Sequence, residues 1–444
     1  MSNASDQDHG SVAGSEDELA LKFAQRYQGQ FRYLATLGKW LSWSGHRWSE
    51  DETRTVIENC RSICREAALA SGGRMGVRLA SNATARSVER LAQSDSRLAA
   101  RIANFDVDPL ILNTPAGVVD LKTGQLLPRR CHDLFTKSTA VAPGGDCPQW
   151  EQFLLQINRG DREMVRYLKR FIGYTLTGIT KEHAFVFLRG PGMNGKSVLL
   201  STIAAVLGDY ATTAMSDVVT VGRSDHHPTH LASLRGARMI LVTETESGKP
   251  WAESRLKAFV AGDRISARVM KGNPFEFQPI GKWWVAGNHS PPLRNADPAM
   301  RRRMHLIPLT FVPQNPDPDL AARLQAECGG ILAWAIRGCL EWQKEGLRPP
   351  STVVNASEEY FAEQDSVATW ISERCKRTDH SFLPVRRAYE DWKAWAVARG
   401  EAPGTEKWFS ETMGHSLEKK RTNSGQVFLG IQLSFNAPTA EIER

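Results

Sequence analysis

The sequence predicts an α/β fold with a mostly parallel central sheet, and three observations predict it. Residues 190 to 197 read Gly190-Pro191-Gly192-Met193-Asn194-Gly195-Lys196-Ser197, a complete G-x-x-x-x-G-K-[ST] phosphate-binding loop. The apolar run Ala184-Phe185-Val186-Phe187-Leu188 leads into it as a buried strand, and Leu199, Leu200, Ile203, Val206 and Leu207 follow at helical spacing until Gly208. From about 180 to 312, strand and helix patterns alternate, as a parallel sheet with crossover helices requires.

Taken in order, residues 1–17 are small, polar and acidic, the composition of a disordered tail. An N-terminal accessory domain, mostly helical at first, is expected over 18–148, with Trp40, Trp43 and Trp48 around a turn at Ser44-Gly45-His46. After Pro109 the texture changes to short strands, Ile111-Leu112-Asn113 and then 117–121, with Thr123-Gly124 as a hairpin turn. The stretch Ala142-Pro143-Gly144-Gly145-Asp146-Cys147-Pro148 reads as a linker. The nucleotide-binding core is expected over 149–345, its strand and helix part closed by the proline-rich residues 313–318. A small α/β domain is expected over 351–437.

Composition sets outer bounds. With 444 residues, 41% hydrophobic and 24% charged, the chain is an ordinary globular protein with room for several domains. A net charge of +7 permits a nucleic-acid partner without requiring one. The seven cysteines are odd in number and scattered, which points to reduced thiols in a cytoplasmic setting. No signal peptide and no apolar stretch near 18 residues is present, so secretion and membrane spanning are not expected.

The loop has a definite chemistry. Its glycines let backbone N–H groups face the phosphates of a nucleotide, and the following helix N-terminus adds positive potential. Lys196 would reach the β/γ-phosphates and the Ser197 hydroxyl would hold Mg²⁺. The strand 238–243 runs into Glu244-Thr245-Glu246, and strand C-termini in such sheets face the ligand crevice. One carboxylate there can hold Mg²⁺ and the other can polarise the attacking water. The strand Trp283-Trp284-Val285-Ala286-Gly287 ends in Asn288-His289, and the Asn288 amide could touch the γ-phosphate and that water, although asparagine is also common in turns. Arg301-Arg302-Arg303 precedes a further strand and reads as a solvated edge, a nucleic-acid contact or an arginine finger for a neighbour's triphosphate. Residues 262–277 read as a hairpin with Arg268 and Lys271 near its tip, suited to a phosphate backbone or equally to a solvated edge. His226, His227 and His230 lack partner ligands at metal spacing.

The order of these parts resembles the superfamily 3 helicases of the phage and plasmid primase C-terminal type, related to the poxvirus primase-helicase. The resemblance rests on the loop, Glu244-Thr245-Glu246, the basic hairpin, Trp284 through His289, and Arg302-Arg303 followed by Leu306-Ile307-Pro308. It extends to Gly38-Lys39-Trp40, Gly45 through Trp48, Phe105-Asp106 and 117–124 upstream, and to Tyr389, Trp392, Trp395, Phe409 and Gly430-Ile431 downstream. It implies an AAA+-like ATPase core followed by a C-terminal winged-helix-like domain. The implied molecule is a homo-oligomeric, hexameric ring that binds ATP with Mg²⁺ and moves 3′ to 5′ on single-stranded DNA. Lys196, Ser197, Glu244 and Glu246 would come from one subunit and Arg302 or Arg303 from the next. Family members often carry a polymerase-type primase domain, for which the chain leaves no room, so a separate primase is an expected partner. A phage, prophage or plasmid product acting in the bacterial cytoplasm is implied.

Two other classes of reading stay open. A replication initiator would use the basic residues Arg374, Lys376, Arg377, Arg386, Arg387, Lys419, Lys420 and Arg421 to recognise an origin, with ATP as an assembly switch. A small-molecule kinase shares the loop but has no need of a basic hairpin or a late arginine block.

Overall fold

The computed structural model describes residues 14–221, 228–243, 249–268, 273–293, 298–399, 403–414, 416–423 and 425–434. At its centre is a five-stranded, wholly parallel sheet. Numbering only its strands, β1 is Phe185–Arg189, β2 Ala211–Thr213, β3 Met239–Thr243, β4 Lys282–Gly287 and β5 Met304–Pro308. Their spatial order is β5-β1-β4-β3-β2. Strands β1, β3, β4 and β5 are apolar at nearly every position because both faces are covered, which is the condition for a parallel sheet. Val186, Leu188, Leu241, Trp284 and Ile307 join one hydrophobic cluster, and their alternates Phe185, Phe187, Val242, Trp283 and Leu306 join another. The neighbours Trp283 and Trp284 therefore point to opposite faces. Trp283 stacks on Phe259 with ring centroids 4.9 Å apart, while the Trp284 indole N–H donates to Thr175 Oγ1 at 3.2 Å. Burying a side chain of this size contributes on the order of 3 kcal/mol.

Helices Pro148–Ile157, Arg162–Thr175, Lys196–Leu207 and Cys328–Glu345 cover the first face. Helix Glu253–Ala261, the hairpin Ile265–Arg268 with Pro274–Phe277, and helix Ser351–Glu363 contribute to the second. Gly208 stops the helix that follows the loop with φ +54°, and a Cβ there would lie 2.7 Å from the Ala140 nitrogen.

The N-terminal unit is mostly helical, as expected, but also carries a small sheet that the sequence did not indicate. Helix Glu16–Tyr27, capped by the Ser15 hydroxyl, is followed by strands Phe31–Leu34, Lys39–Trp43 and Trp48–Glu50, and then by helices Thr55–Ser71, Gly73–Leu79 and Asn82–Ala92. The three tryptophans lie on a β-hairpin, with Trp43 paired across from Trp48. Phe23, Trp40, Cys60, Ile63 and Val88 build that unit's own core.

The strands Ile111–Thr114, Gly117–Asp120 and Gln125–Leu127 form an antiparallel meander, as the sequence indicates. Hydrophobic clusters do not divide at residue 148, however. Leu112, Val119 and Leu121 belong to the main cluster under the central sheet, and the Gln343 amide donates to the Leu121 carbonyl at 2.7 Å. The stretch 142–148, expected as a linker, is packed: Gly144 N–H donates to the Gly329 carbonyl at 3.0 Å, and Gly330 lies so close that a Cβ would meet Asp146 O at 2.2 Å.

The C-terminal unit runs helix Ser366–Arg374, strand Cys375–Pro384, helix Val385–Ala398, helix Glu406–Met413, strand Lys419–Thr422 and strand Gly425–Leu433. The last strand lies between the other two in an antiparallel sheet. Trp370, Trp392, Phe409 and Phe428 fill its core, with Trp392 and Phe409 stacked at 4.9 Å. Among the described residues no helix is long and apolar enough to cross a membrane.

Candidate functional site

The carboxyl ends of β1, β3, β4 and β5 lie in one row. Thr243 is level with Ala286, Gly287 with Arg189, and Arg189 with Pro308. The loop 190–195 leaves β1 at this edge and turns into helix Lys196–Leu207. Two residues there hold left-handed backbone, Met193 at φ +61° and Gly195 at φ +86°. Glycine is required at 195 for a second reason, since a Cβ would lie 2.8 Å from Ile157 Cγ2. Gly190 is tighter still, its Cβ position 1.9 Å from the Leu309 carbonyl oxygen, just beyond β5.

Lys196 is buried at 7% exposure and makes no ion pair in its described contacts. Its Nζ donates to the carbonyls of Gly190 at 2.7 Å and Pro191 at 2.8 Å and to Asn194 Oδ1 at 3.0 Å. Burial lowers the ammonium's pKa below the ordinary lysine value. Asn194, equally buried, turns its amide N–H₂ to the Leu309 carbonyl at 2.5 Å. The cation is thus held by neutral acceptors within the loop, and the loop is pinned to the end of β5. Ser197 stands exposed at the helix N-terminus and its side chain makes no hydrogen bond among the described residues, so its hydroxyl is available to a cation.

An open cleft of about 840 Å³ runs from the loop across the sheet edge. It brings together Lys196, Ser197, Thr243, Asn288 and His289. Glu244, Glu246 and Lys271 lie outside the described residues, as do His226 and His227; Thr243 is the last described residue before the carboxylates. Arg268 is exposed at the end of its strand, level with Pro274, while Ala267 and Phe277 anchor the hairpin to the core. Among the described residues no group of three or more His, Cys, Asp or Glu could hold a metal ion.

The three arginines differ. Arg301 lies 5.4 Å over the Phe361 ring, and Arg303 is half-buried and donates to the Ala299 carbonyl at 2.7 Å. Arg302 is exposed, and its guanidinium makes no hydrogen bond, ion pair or ring contact among the described residues.

The remainder of the cleft was not legible as a site. It is lined by Gln152, Phe153, Gln156 and Ile157 of helix Pro148–Ile157 and by Phe311, Pro313 and Leu320 from the segment after β5. The proline-rich stretch that reads as the end of the core is therefore a wall of the cleft. The available signal was small: two glutamines four residues apart on a helix whose other face is apolar.

Comparison with known proteins adds the following. Residues 20–158 match the family model described as D5 N terminal like, and residues 188–303 match a family of unknown function, DUF5906. A protein of Acanthamoeba polyphaga mimivirus named "Putative helicase" is 24% identical over 323 residues, 66% of this chain and 34% of its own length. One of Frog virus 3 with the same description is 24% identical over 258 residues, 52% of this chain and 26% of its own length. The matched regions thus span about a third or less of these curated relatives. Two apo structures of the C-terminal region of NrS-1 superpose with a TM-score of 0.51 at 10% identity, covering 94% of this chain and all of theirs, which shows a shared fold.

Proposed function

We propose that this chain, whose matches fit a phage and viral primase-helicase family, is the ATP-driven DNA helicase of a replication system. The observation that carries the reading is the convergence of Lys196, Ser197, Thr243 and Asn288 on one cleft at the carboxyl edge of a parallel sheet. A triphosphate would take over the Lys196 ammonium from the three neutral acceptors that now hold it, and the loop N–H groups would face its oxygens. Ser197 and a carboxylate at 244 would hold Mg²⁺, which neutralises the phosphate charge when bound. Hydrolysis joins the water oxygen to the γ-phosphorus and breaks the bond to the β,γ-bridging oxygen, the water proton passing to Glu244 or Glu246. Asn288 would orient the γ-phosphate and the water. Arg302, the uncommitted member of its block, is the arginine we assign to a neighbouring subunit's triphosphate in a ring, hexameric by resemblance. The hairpin carrying Arg268 and Lys271 would grip the phosphates of single-stranded DNA in the channel. The α-β-α-α-β-β order of the C-terminal unit supports a winged-helix-like reading. These activities belong in the bacterial cytoplasm.

The initiator reading loses part of its support, because Arg374 pairs with Asp391 at 2.8 Å and Arg386 with Glu390 at 3.1 Å. Sequence-specific footprints without unwinding would restore it. The test of the motor is strand displacement on a forked duplex with ATP and Mg²⁺. Lys196→Ala should abolish hydrolysis and unwinding while leaving the melting temperature nearly unchanged, since this side chain holds no second element in place. Normal hydrolysis by that variant would refute the site.

A further inference from the structure

We infer that the part of the cleft bordered by helix Pro148–Ile157 is a nucleobase pocket and that the amides of Gln152 and Gln156 make it selective for adenine. This deepens the triphosphate reading and rests on it. The pocket's lining sets the apolar side chains of Ile157, Leu200, Phe311, Pro313 and Leu320 in the same cleft as loop residues Gly192 to Ser197. Its distance from the phosphates is fixed, because Gly195 of the loop packs directly on Ile157 and Phe153 of the helix that carries both glutamines.

The polar groups in this part of the cleft divide into committed and uncommitted ones. Arg323 donates to Gln149 Oε1 at 2.7 Å and forms an ion pair with Asp317, so all three are engaged with one another. Gln152 and Gln156 are exposed, line the cleft, and make no side-chain hydrogen bond among the described residues. Four residues apart, they lie on one face of the helix. A carboxamide offers a donor and an acceptor side by side, which matches the N7 acceptor and N6 amino donor of adenine. Guanine, with two acceptors on that edge, is the partner of arginine or lysine. Of the lysine and arginine side chains lining the cleft, Arg323 is tied up and Lys196 is at the phosphate end. The pocket therefore presents amides to the base and withholds a cation.

The test is competition against a fluorescent ATP analogue by ATP, GTP and inorganic tripolyphosphate, for the full chain and for Gln152→Leu/Gln156→Leu. The unaltered protein should prefer ATP over GTP about tenfold or more. In the double variant that preference should collapse toward unity with tripolyphosphate affinity unchanged. Gln152→Glu/Gln156→Glu, which keeps size and acceptors but loses the donors, should weaken ATP binding if the leucine pair disturbs folding. Equal ATP and GTP affinity in the unaltered protein, or retained preference in both variants, would overturn the adenine assignment while leaving a triphosphate site. Failure to bind ATP, GTP or tripolyphosphate would remove the triphosphate reading itself, and the pocket assignment with it.

Discussion

Asn194 occupies one of the four unspecified positions of the loop motif, yet it is the residue that joins the loop to the rest of the site. Its amide oxygen accepts from Lys196 and its amide nitrogen donates to Leu309 at the end of β5. Gly190 and Gly195 were legible in the sequence because the motif demands them, and the structure gives the steric reason for each. The role of Asn194 was not legible, since it depends on a carbonyl 115 residues away. Asn194→Asp should place a carboxylate against the buried ammonium, forming an ion pair that competes with the triphosphate. We expect the KM for ATP to rise about tenfold or more, given that a charge-assisted contact is worth roughly 1.5–3 kcal/mol. Steady-state hydrolysis and thermal melting separate this from misfolding. An unchanged KM would remove Asn194 from any role in holding the lysine.

Among the elements, β1, β3, β4 and β5 were readable because strands buried on both faces appear as unbroken apolar runs. The hairpin bearing the three tryptophans was not, because its strands are short and stand between amphipathic helices with stronger periodicity. Helix Pro148–Ile157 was expected, but not what starts it. Cys147, its N-cap, makes no side-chain cap; instead the Glu327 carboxylate accepts from the N–H groups of Gln149 at 3.1 Å and Trp150 at 3.0 Å. That borrowed cap places negative charge at the helix's positive end. Glu327→Ala should cost about 1 kcal/mol of stability and, by loosening the helix that faces the loop, should raise KM for ATP more than it lowers kcat. Denaturant unfolding together with a KM and kcat comparison checks both halves. A lost cap with unaltered KM would mean the helix is not coupled to the cleft.

At the scale of the whole molecule, an arginine that serves a neighbour can be exposed by mixing. Arg302→Ala should bind ATP normally but hydrolyse it poorly, and Lys196→Ala should be inactive. Mixed together, the two variants should regain activity above either alone, because an intact Lys196 then meets an intact Arg302 across some interfaces. No recovery at any mixing ratio would argue that Arg302 serves its own subunit or none. The meander of the accessory region was legible in the sequence, but the region's boundary was not, because composition marks flexible-looking stretches and not which core a side chain enters. Leu112, Val119 and Leu121, upstream of the apparent linker, are buried with the helices that carry the central sheet. Recombination among related genes would feel this directly. An exchange seam at the glycine- and proline-rich codons around 142–148 would hand one parent's meander to another parent's sheet and leave both badly matched. A seam between Phe105, buried with Leu34, Leu41 and Trp48, and Leu110, packed on the central core, would keep the fully buried residues of each core together.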